Sequence, residues 1–253
     1  MTSRLSTLRS RLRDNETLIG TLISLPSADI VECLASLSVD WLFIDAEHGA
    51  FGPETVVDLL RAAHDCPCLV RIPCADEAWI KKVLDAGAAG IIVPQISTLQ
   101  QAQDVVTYAK YAPHGNRGVG LGRAHGYGQD FSSYLESANE HTVIVLQAET
   151  ESILHCIDDV TAIADVDAVL IGPYDLSASL GHTGDLQHPK VQSAIQTVLA
   201  SCHKNTKAAG IFGVCADDVA AYKKMGFTLL TVGVDTLFVQ TAATAELEKL
   251  RLA

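Results

Sequence analysis

Charged side chains stand at the ends of two apolar segments in the first third of the chain. The segment FIDAEHG carries Asp45, Glu47 and His48, and the segment VRIP carries Arg71. A histidine held by a carboxylate can act as a general base near neutral pH, although an ordinary hydrogen-bonded histidine at the start of a loop explains the same pattern. An arginine that ends a buried strand needs an anion, because an unpaired buried charge is costly. We therefore expect Arg71 to face a carboxylate of the site or of a substrate.

Two further acidic residues follow apolar segments in the second half of the chain. Gln147 and Glu149 of LQAET are two residues apart, so they face the same way while the strand stays extended. Asp175 follows in LIGPYDLS. Two carboxylates with only oxygen ligands nearby suit a water-filled site for Mg²⁺ or Mn²⁺. Helix capping is the alternative for both acids, and the spacing alone leaves the two interpretations open.

Apolar runs that alternate with helical patterns must position these side chains. We predict eight strands, at Leu18–Ser24, Trp41–Asp45, Cys68–Arg71, Gly90–Val93, Thr142–Gln147, Ala168–Ile171, Ala209–Gly213 and Leu229–Gly233. The helices predicted between and after them include Ala28–Leu37, Pro53–Ala63, Glu77–Ala86, Leu99–Lys110, Pro189–His203, Ala216–Met225 and Thr236–Leu252. This alternation predicts a (β/α)8 TIM barrel that forms a single domain over residues 1–253, with its active face at the strand carboxyl ends. A doubly wound open sheet is the main alternative, but the first turn, SLPSAD, lacks the glycines typical of it.

One long segment interrupts the alternation. Residues Tyr111–Asp130 read YAPHGNRGVGLGRAHGYGQD, and unstructured segments of this length in compact domains are usually functional or disordered. Its glycines and the cations Arg117, Arg123 and His125 are typical of an anion-handling loop. Its GVGLG is no dinucleotide fingerprint, because no strand leads directly into it.

The composition excludes other classes of function. A formal charge of −12 argues against nucleic acid, since neutralising phosphates needs a basic face. No apolar run approaches the length of a membrane span, and the polar, basic amino-terminal segment predicts no secretory signal. The seven scattered cysteines form neither a disulfide framework nor a zinc ribbon, which favours reduced thiols in a cytoplasmic enzyme.

The segments that carry these residues resemble one enzyme family. The runs VDWLFIDAEHG, VRIP, KKVLDAGAAGIIVPQI, YAPHGNRGVG, LQAET and IGPYDLSASLG are similar to the class II, metal-dependent pyruvate aldolases of the citrate lyase β-subunit superfamily, over roughly residues 20–235. These include 4-hydroxy-2-oxoheptanedioate and 2-dehydro-3-deoxyglucarate aldolases. The resemblance implies a (β/α)8 barrel in a homo-oligomer, a trimer or a hexamer, whose last helix is exchanged between subunits.

The resemblance also implies roles for individual residues. Glu149 and Asp175 match the ligands of a divalent metal, Mg²⁺ or Mn²⁺ with Co²⁺ possible, and Arg71 matches the arginine that stabilises the pyruvate enolate. His48 matches the catalytic base. The other matched residues are Asp45 and Asp85, acids that support the base, Gln147, which contacts the pyruvate unit, and Gly172 and Pro173, whose backbone holds the substrate carboxylate.

The implied activity is reversible aldol cleavage of a 4-hydroxy-2-oxo acid to pyruvate and an aldehyde. The same enolate would serve an oxaloacetate decarboxylase or a macrophomate synthase-like enzyme, which is the leading alternative; an acyl-CoA lyase and a catalytically inactive binding protein rank below it. No lysine stands at a predicted strand end, which argues against Schiff-base chemistry. Two departures from the family, RAHGYGQDF after the glycine loop and the missing tryptophan near Leu22, leave the aldehyde undetermined.

Overall fold

Eight parallel strands form a closed barrel in the computed structural model, which describes the backbone of residues 4–252 and the side chains of residues 8–252. The strands are β1 (Leu18–Ile23), β2 (Trp41–Asp45), β3 (Cys68–Arg71), β4 (Gly90–Val93), β5 (Val143–Ala148), β6 (Ala168–Ile171), β7 (Ala208–Gly213) and β8 (Leu229–Val234). Each pairs with the next, and β8 pairs with β1. The predicted barrel is confirmed, with strand ends within a residue of those expected, and the open sheet is excluded.

Helices connect and surround the strands. They are α1 (Arg4–Arg13), α2 (Ala28–Ala35), α3 (Pro53–Ala62), α4 (Glu77–Asp85), α5 (Leu99–Ala109), α6 (Phe131–His141), α7 (Ile157–Ala162), α8 (Pro173–Ser179), α9 (Pro189–Lys204), α10 (Ala216–Met225) and α11 (Asp235–Leu252), with 3₁₀ turns at Arg123–Gly128 and Glu151–His155. Sequence periodicity missed α1, α6, α7 and α8. The last two have six and seven residues, too few for a repeat of 3.6 residues to emerge.

The barrel interior is filled with side chains and closed at the amino end of its strands. Leu8 and Leu12 of α1 are fully buried against the interior cluster that includes Trp41. The Trp41 indole lies directly over Gly20 of β1, where a Cβ atom would come within 2.6 Å of the ring. This glycine therefore allows a large side chain to occupy the narrow interior.

Ion pairs hold α1 in this position. Arg9 Nε lies 2.7 Å from Asp167 Oδ1, and Arg9 Nη2 lies 2.9 Å from Asp165 Oδ1. Asp167, almost fully buried, also accepts a hydrogen bond from the backbone N–H of Ile144. The amino end of the barrel is thus a structural face, and the opposite end is free for chemistry.

The long segment 111–130 lies at this structural face, since it joins α5 to α6 before the chain enters β5. Its three cations stabilise the segment itself. Arg117 Nη2 donates to Asp85 Oδ1 at 2.6 Å, Arg123 Nη1 donates to the Ala86 carbonyl, and His125 Nε2 lies 2.6 Å from the Gly120 carbonyl oxygen. Arg117 and His125 are buried. An anion-handling role of the segment stays a prediction.

The last helix, α11, extends away from its own barrel. Only Asp235, its first residue, is buried among the 18 residues of the helix, and every residue from Leu237 to Leu252 is exposed. The exposed apolar side chains are Leu237, Phe238, Val239, Leu247, Leu250 and Leu252. No helix in the described part of the chain is long and apolar enough to cross a membrane.

Candidate active site

A buried ion pair joins the carboxyl ends of β2 and β3. Asp45 and Arg71 are direct partners in the register of these neighbouring strands. Arg71 Nε donates to Asp45 Oδ1 at 2.8 Å and Nη2 donates to Oδ2 at 2.7 Å, which is the two-pronged geometry that suits a guanidinium. Burial disfavours the charged guanidinium, but the hydrogen bonds to Asp45 and the negative charges of Asp45, Glu47 and Glu149 together outweigh it and raise the pKa of Arg71. The expectation that Arg71 faces a carboxylate of the site is confirmed.

The turn after β2 brings a second acid to the arginine. Glu47 Oε2 lies 3.2 Å from Arg71 Nε and 3.8 Å from His48 Nε2. Asp45 Oδ1 accepts from the backbone N–H groups of Glu47 and His48, at 3.1 and 3.3 Å. Asp45 therefore shapes the turn, and the carboxylate nearest the histidine ring is Glu47. The His48 side chain is 68% exposed and so is accessible to a substrate.

Glu149 lies buried just past the end of β5. Its Oε1 accepts from the backbone N–H of Gln95 at 2.6 Å, and its Oε2 accepts a short hydrogen bond from Gln147 Nε2. Gln147 and Glu149 thus face the same side, as their spacing predicts. Burial raises the pKa of Glu149 to about 7; the Gln95 hydrogen bond opposes this shift, and the charges of Glu47 and Asp175 add to it.

Neither Glu149 nor Asp175 caps a helix. Thr150 is the capping residue after β5, since its side chain accepts from the Ile153 N–H, and Gly172 precedes α8 without a side-chain cap. Asp175 lies in the first turn of α8, not at the cap. The capping interpretation is wrong for both residues, so their carboxylates are available for another role.

Gly172 allows the end of β6 to approach these side chains closely. A Cβ atom at this position would lie 2.7 Å from Glu149 Oε2 and 3.1 Å from Gln147 Nε2. Pro173 follows as the first residue of α8. The GPYD turn therefore brings Asp175 into the electrostatic environment of Glu149 without displacing it.

The local charge suits a hard cation. Glu47, Glu149 and Asp175 interact as like charges, and burial together with Asp45 and Asp175 keeps the pKa of Glu47 raised in spite of Arg71. Within the described residues, no group of three or more His, Cys, Asp or Glu side chains could hold a metal. Two carboxylates with the remaining ligands supplied by water or substrate fit Mg²⁺, which retains several waters in protein sites.

A cavity of about 150 Å³ opens beside these residues. Its polar lining comes from His48, Arg71, Gln147 and Asp175, together with the Gly172–Pro173 turn. Its apolar lining includes Leu22 of β1, Phe43 of β2, Leu170 of β6 and Phe212 of β7, with Tyr174 at the edge. The cavity thus has a charged side suited to an oxo acid and an apolar side.

Asp85 does not lie with the other predicted residues. It is the last residue of α4, which runs from the end of β3 back toward the amino end of β4, and it pairs with Arg117. The His48 of the same chain is at the opposite end of the barrel. A role for Asp85 in supporting His48 therefore stays a prediction, because the two residues of one chain lie at opposite ends of the barrel.

The sequence matches the model of the HpcH/HpaI aldolase/citrate lyase family over residues 19–242. The chain belongs to this family. It is therefore a carbon–carbon lyase by family, and the matched residues span all eight strands except the first residue of β1.

Two relatives cover nearly the whole chain. The hydroxypyruvate/pyruvate aldolase of Roseobacter denitrificans is 36% identical over 239 residues, 93% of each chain. The 4-hydroxy-2-oxovalerate aldolase of Rhodococcus jostii is 37% identical over 250 residues, 97% of this chain and 96% of that enzyme. Both names describe aldolases that act on 2-oxo acids.

Solved structures agree with the fold. An HpcH/HpaI aldolase/citrate lyase family protein from Burkholderia cenocepacia superposes with a TM-score of 0.94 at 34% identity, over 97% of this chain and 99% of that one. Macrophomate synthase superposes with a TM-score of 0.83 at 26% identity, over 97% of this chain and 91% of that one.

Sequence reasoning left several site residues unassigned. Glu47 was visible in FIDAEHG, but nothing in the sequence distinguishes it from Asp45 as the neighbour of His48. Gln95 acts through its backbone N–H, at a φ of 56° that is rare for residues other than glycine. Leu22 and Phe212 look like ordinary apolar strand residues in the sequence, and only the closed barrel shows that both line the cavity.

We predict that Gly172→Ala disturbs the acidic site without unfolding the barrel. The added methyl group would lie 2.7 Å from Glu149 Oε2 and must displace that carboxylate. We expect affinity for Mn²⁺, measured by electron paramagnetic resonance of the free ion, to fall about tenfold or more, the effect expected when one ligand is misplaced. Gly118→Ala is the matched control, because its new Cβ would meet only the Lys81 side chain at 3.6 Å. Equal Mn²⁺ affinity in the two variants would refute this role of Gly172.

Proposed function

We propose that the protein catalyses the reversible aldol cleavage of a 4-hydroxy-2-oxo acid to pyruvate and an aldehyde, with the help of a divalent metal. The observation that carries the proposal is the fixed guanidinium of Arg71 at the cavity, next to the acidic group formed by Glu47, Glu149 and Asp175. A 2-oxo acid brings a carboxylate and a carbonyl oxygen, and both need positive charge nearby.

Glu149 and Asp175 are the proposed metal ligands. Both are free of capping roles, and Glu149 is oriented by Gln95 and Gln147. When bound, Mg²⁺ or Mn²⁺ would supply a Lewis acid that polarises the 2-oxo carbonyl. The Gly172–Pro173 turn lines the cavity beside these ligands, where its backbone can orient the substrate carboxylate.

Arg71 is the proposed stabiliser of the enolate. Two of its nitrogens are committed to Asp45, so the guanidinium is held in one orientation at the cavity wall. A preorganised cation favours the charge that grows on the keto oxygen as the C–C bond breaks, and it needs no reorganisation during the reaction. Gln147, also on this wall, would contact the pyruvate unit.

His48 is the proposed base. Its ring is exposed at the cavity and has Glu47 as its nearest carboxylate, so it can take the proton of the 4-hydroxyl group during cleavage and return it during addition. If Asp85 also supports the base, it must do so for a neighbouring subunit, because it lies at the other end of its own barrel.

A second candidate activity is decarboxylation of oxaloacetate, with or without capture of the enolate by another electrophile. The similarity to macrophomate synthase supports it. The residues proposed to stabilise the enolate would be the same, and only the group that leaves C3 of the oxo acid differs. An acyl-CoA lyase is disfavoured, since Arg71 and His48 are the basic residues among the described residues that line the cavity, and no further cation there would hold a CoA phosphate.

The proposed assembly is a closed homo-oligomer, a trimer or hexamer, in which α11 packs on a neighbouring subunit. An exposed helix with apolar side chains such as Phe238, Val239 and Leu250 is not stable in isolation and needs a partner surface. The proposed compartment is the cytoplasm, which the seven free cysteines support.

Removal of metal should abolish pyruvate release. Two carboxylates bind Mg²⁺ weakly, so we expect EDTA to eliminate turnover of 4-hydroxy-2-oxo acids, and Mg²⁺, Mn²⁺ or Co²⁺ to restore it. Pyruvate can be measured with a coupled dehydrogenase against a panel that includes oxaloacetate. Glu149→Gln and Asp175→Asn should lose metal binding and activity together. Full turnover after exhaustive chelation would contradict the metal-dependent mechanism.

Arg71→Ala should lower kcat rather than only raise KM. The loss of one preorganised donor at a developing oxyanion costs about 10²–10³ in kcat, whereas loss of uniform binding changes KM alone. Arg71→Lys keeps the charge but loses the paired geometry to Asp45, so it should be impaired as well. Steady-state kinetics at saturating metal provide the test. Near-normal kcat with a raised KM would make Arg71 a binding residue.

The assembly is tested by multi-angle light scattering at micromolar concentration. We expect a mass of three or six subunits of 26.9 kDa for the intact chain. Phe238→Asp with Leu250→Asp should shift the mass toward the monomer, since both side chains belong to the exposed apolar set. Lys249→Glu on the same helix is the control and should leave the mass unchanged. A monomeric wild-type protein would refute the proposed oligomer.

A further inference from the structure

We propose that Asp235 is a positioning residue that holds the apolar side of the cavity in place for the aldehyde. This inference rests on the aldolase function proposed above and extends it to a residue outside the charged site. Asp235 begins α11 and has 1% of its surface exposed. No cation of the described residues pairs with it, and its partners are hydrogen-bond donors of the chain.

The Asp235 carboxylate accepts four hydrogen bonds. Its Oδ2 accepts from the backbone N–H groups of Ser24 and Leu25, at 3.0 and 2.9 Å. Its Oδ1 accepts from the Ser24 hydroxyl at 2.7 Å and from the Thr236 N–H at 2.8 Å. Three of the four donors belong to the segment that leaves β1. A buried carboxylate with this many donors fixes the local backbone strongly, because every donor would otherwise lose its partner.

A bulge in β8 directs this carboxylate toward β1. The pairing of the two strands shifts between Gly20↔Thr231 and Leu22↔Val234, so β8 contains one additional residue. Gly233, within this shift, has a φ of +65°, which favours glycine. Bulges of this kind re-aim side chains near active sites. Here the bulge places Asp235 beneath the two backbone N–H groups that follow β1.

The anchored segment adjoins the apolar side of the cavity. Leu22, two residues before Ser24, lines the cavity from β1, and Phe212 lines it from β7. The charged residues proposed to bind the 2-oxo acid and the metal lie elsewhere: Arg71 ends β3, Glu149 follows β5, and Asp175 lies in the first turn of α8. On this proposal the aldehyde approaches the enolate from the side of Leu22 and Phe212. Its binding then depends on how rigidly the backbone at the end of β1 is held.

The two half-reactions separate this role from a general structural one. Exchange of the C3 protons of pyruvate with D₂O needs the charged site alone, whereas aldol addition also needs the aldehyde. In Asp235→Asn one carboxylate oxygen becomes an NH₂ group, which faces donors and cannot accept from them. The segment after β1 then loses at least one of its hydrogen bonds to residue 235, while the contacts among the charged residues of the site are expected to remain.

The test compares Asp235→Asn and Ser24→Ala with Asp40→Asn. Asp40 is the matched control: its Oδ2 accepts from the backbone N–H of Ile19, at 2.8 Å, at the opposite end of β1. NMR in D₂O measures proton exchange of pyruvate with Mg²⁺, and steady-state kinetics of addition measure KM for glycolaldehyde and acetaldehyde. For Asp235→Asn we expect KM for the aldehyde to rise about tenfold, with exchange within about twofold of wild type. Ser24→Ala should show a smaller rise, and Asp40→Asn none.

Two results would overturn the inference. One is an unchanged KM for both aldehydes in Asp235→Asn; the other is an equal loss of exchange and addition, which would give Asp235 a structural role only. If Asp235→Asn does not fold, Ser24→Ala decides, because it keeps the carboxylate and removes a single donor. Failure of the aldolase function itself would be seen separately, as wild-type protein that shows no metal-dependent exchange of pyruvate protons.

Discussion

The ion pair between Arg71 and Asp45 is the interaction on which the site depends. Both residues end neighbouring strands, so the pair forms only when β2 and β3 are in register inside a closed barrel. Replacing one partner of such a pair leaves an uncompensated buried charge, which typically destabilises a protein by about 3–5 kcal/mol. The pair orients the guanidinium toward the cavity, and Asp45 also holds the turn that carries Glu47 and His48.

The two ends of the barrel divide the requirements of stability and chemistry. At the amino end, α1 fills the interior with leucines, and Arg9 with Asp165 and Asp167 fixes it. At the carboxyl end, like charges are brought together at the expense of stability. Burial raises the pKa of Glu149 to about 7, so the folded state favours the protonated form and loses stability as pH rises from the ordinary carboxyl range toward 7. A bound cation would offset this loss by favouring the ionised form.

The sequence predicts the strands well because each is an apolar run buried on both faces, and the residues at their ends follow from the topology. It predicts the pairing of Arg71 with an acid from the cost of burying an unpaired charge. What it misses depends on contacts distant in the sequence. The glycine-rich segment 111–130 lies at the amino end of the barrel, because each helix brings the chain back to that end before the next strand begins. The roles of Glu47, Gln95 and Asp235 arise from backbone geometry. Short helices such as α7 leave no periodic pattern.

The structure excludes the capping alternative that spacing leaves open for Glu149 and Asp175, and metal binding stays the proposed role. Glu149 and Asp175 each precede or begin a helical turn, as capping residues do. A cap must accept from the backbone N–H two or three residues later, and after β5 that acceptor is Thr150. Glu149 instead accepts from Gln95, in the turn after β4, and from Gln147 of β5. These donors carry no charge of their own and hold the carboxylate in one orientation. A carboxylate that is oriented, buried and close to other acids is consistent with the proposed role of Glu149 as a metal ligand.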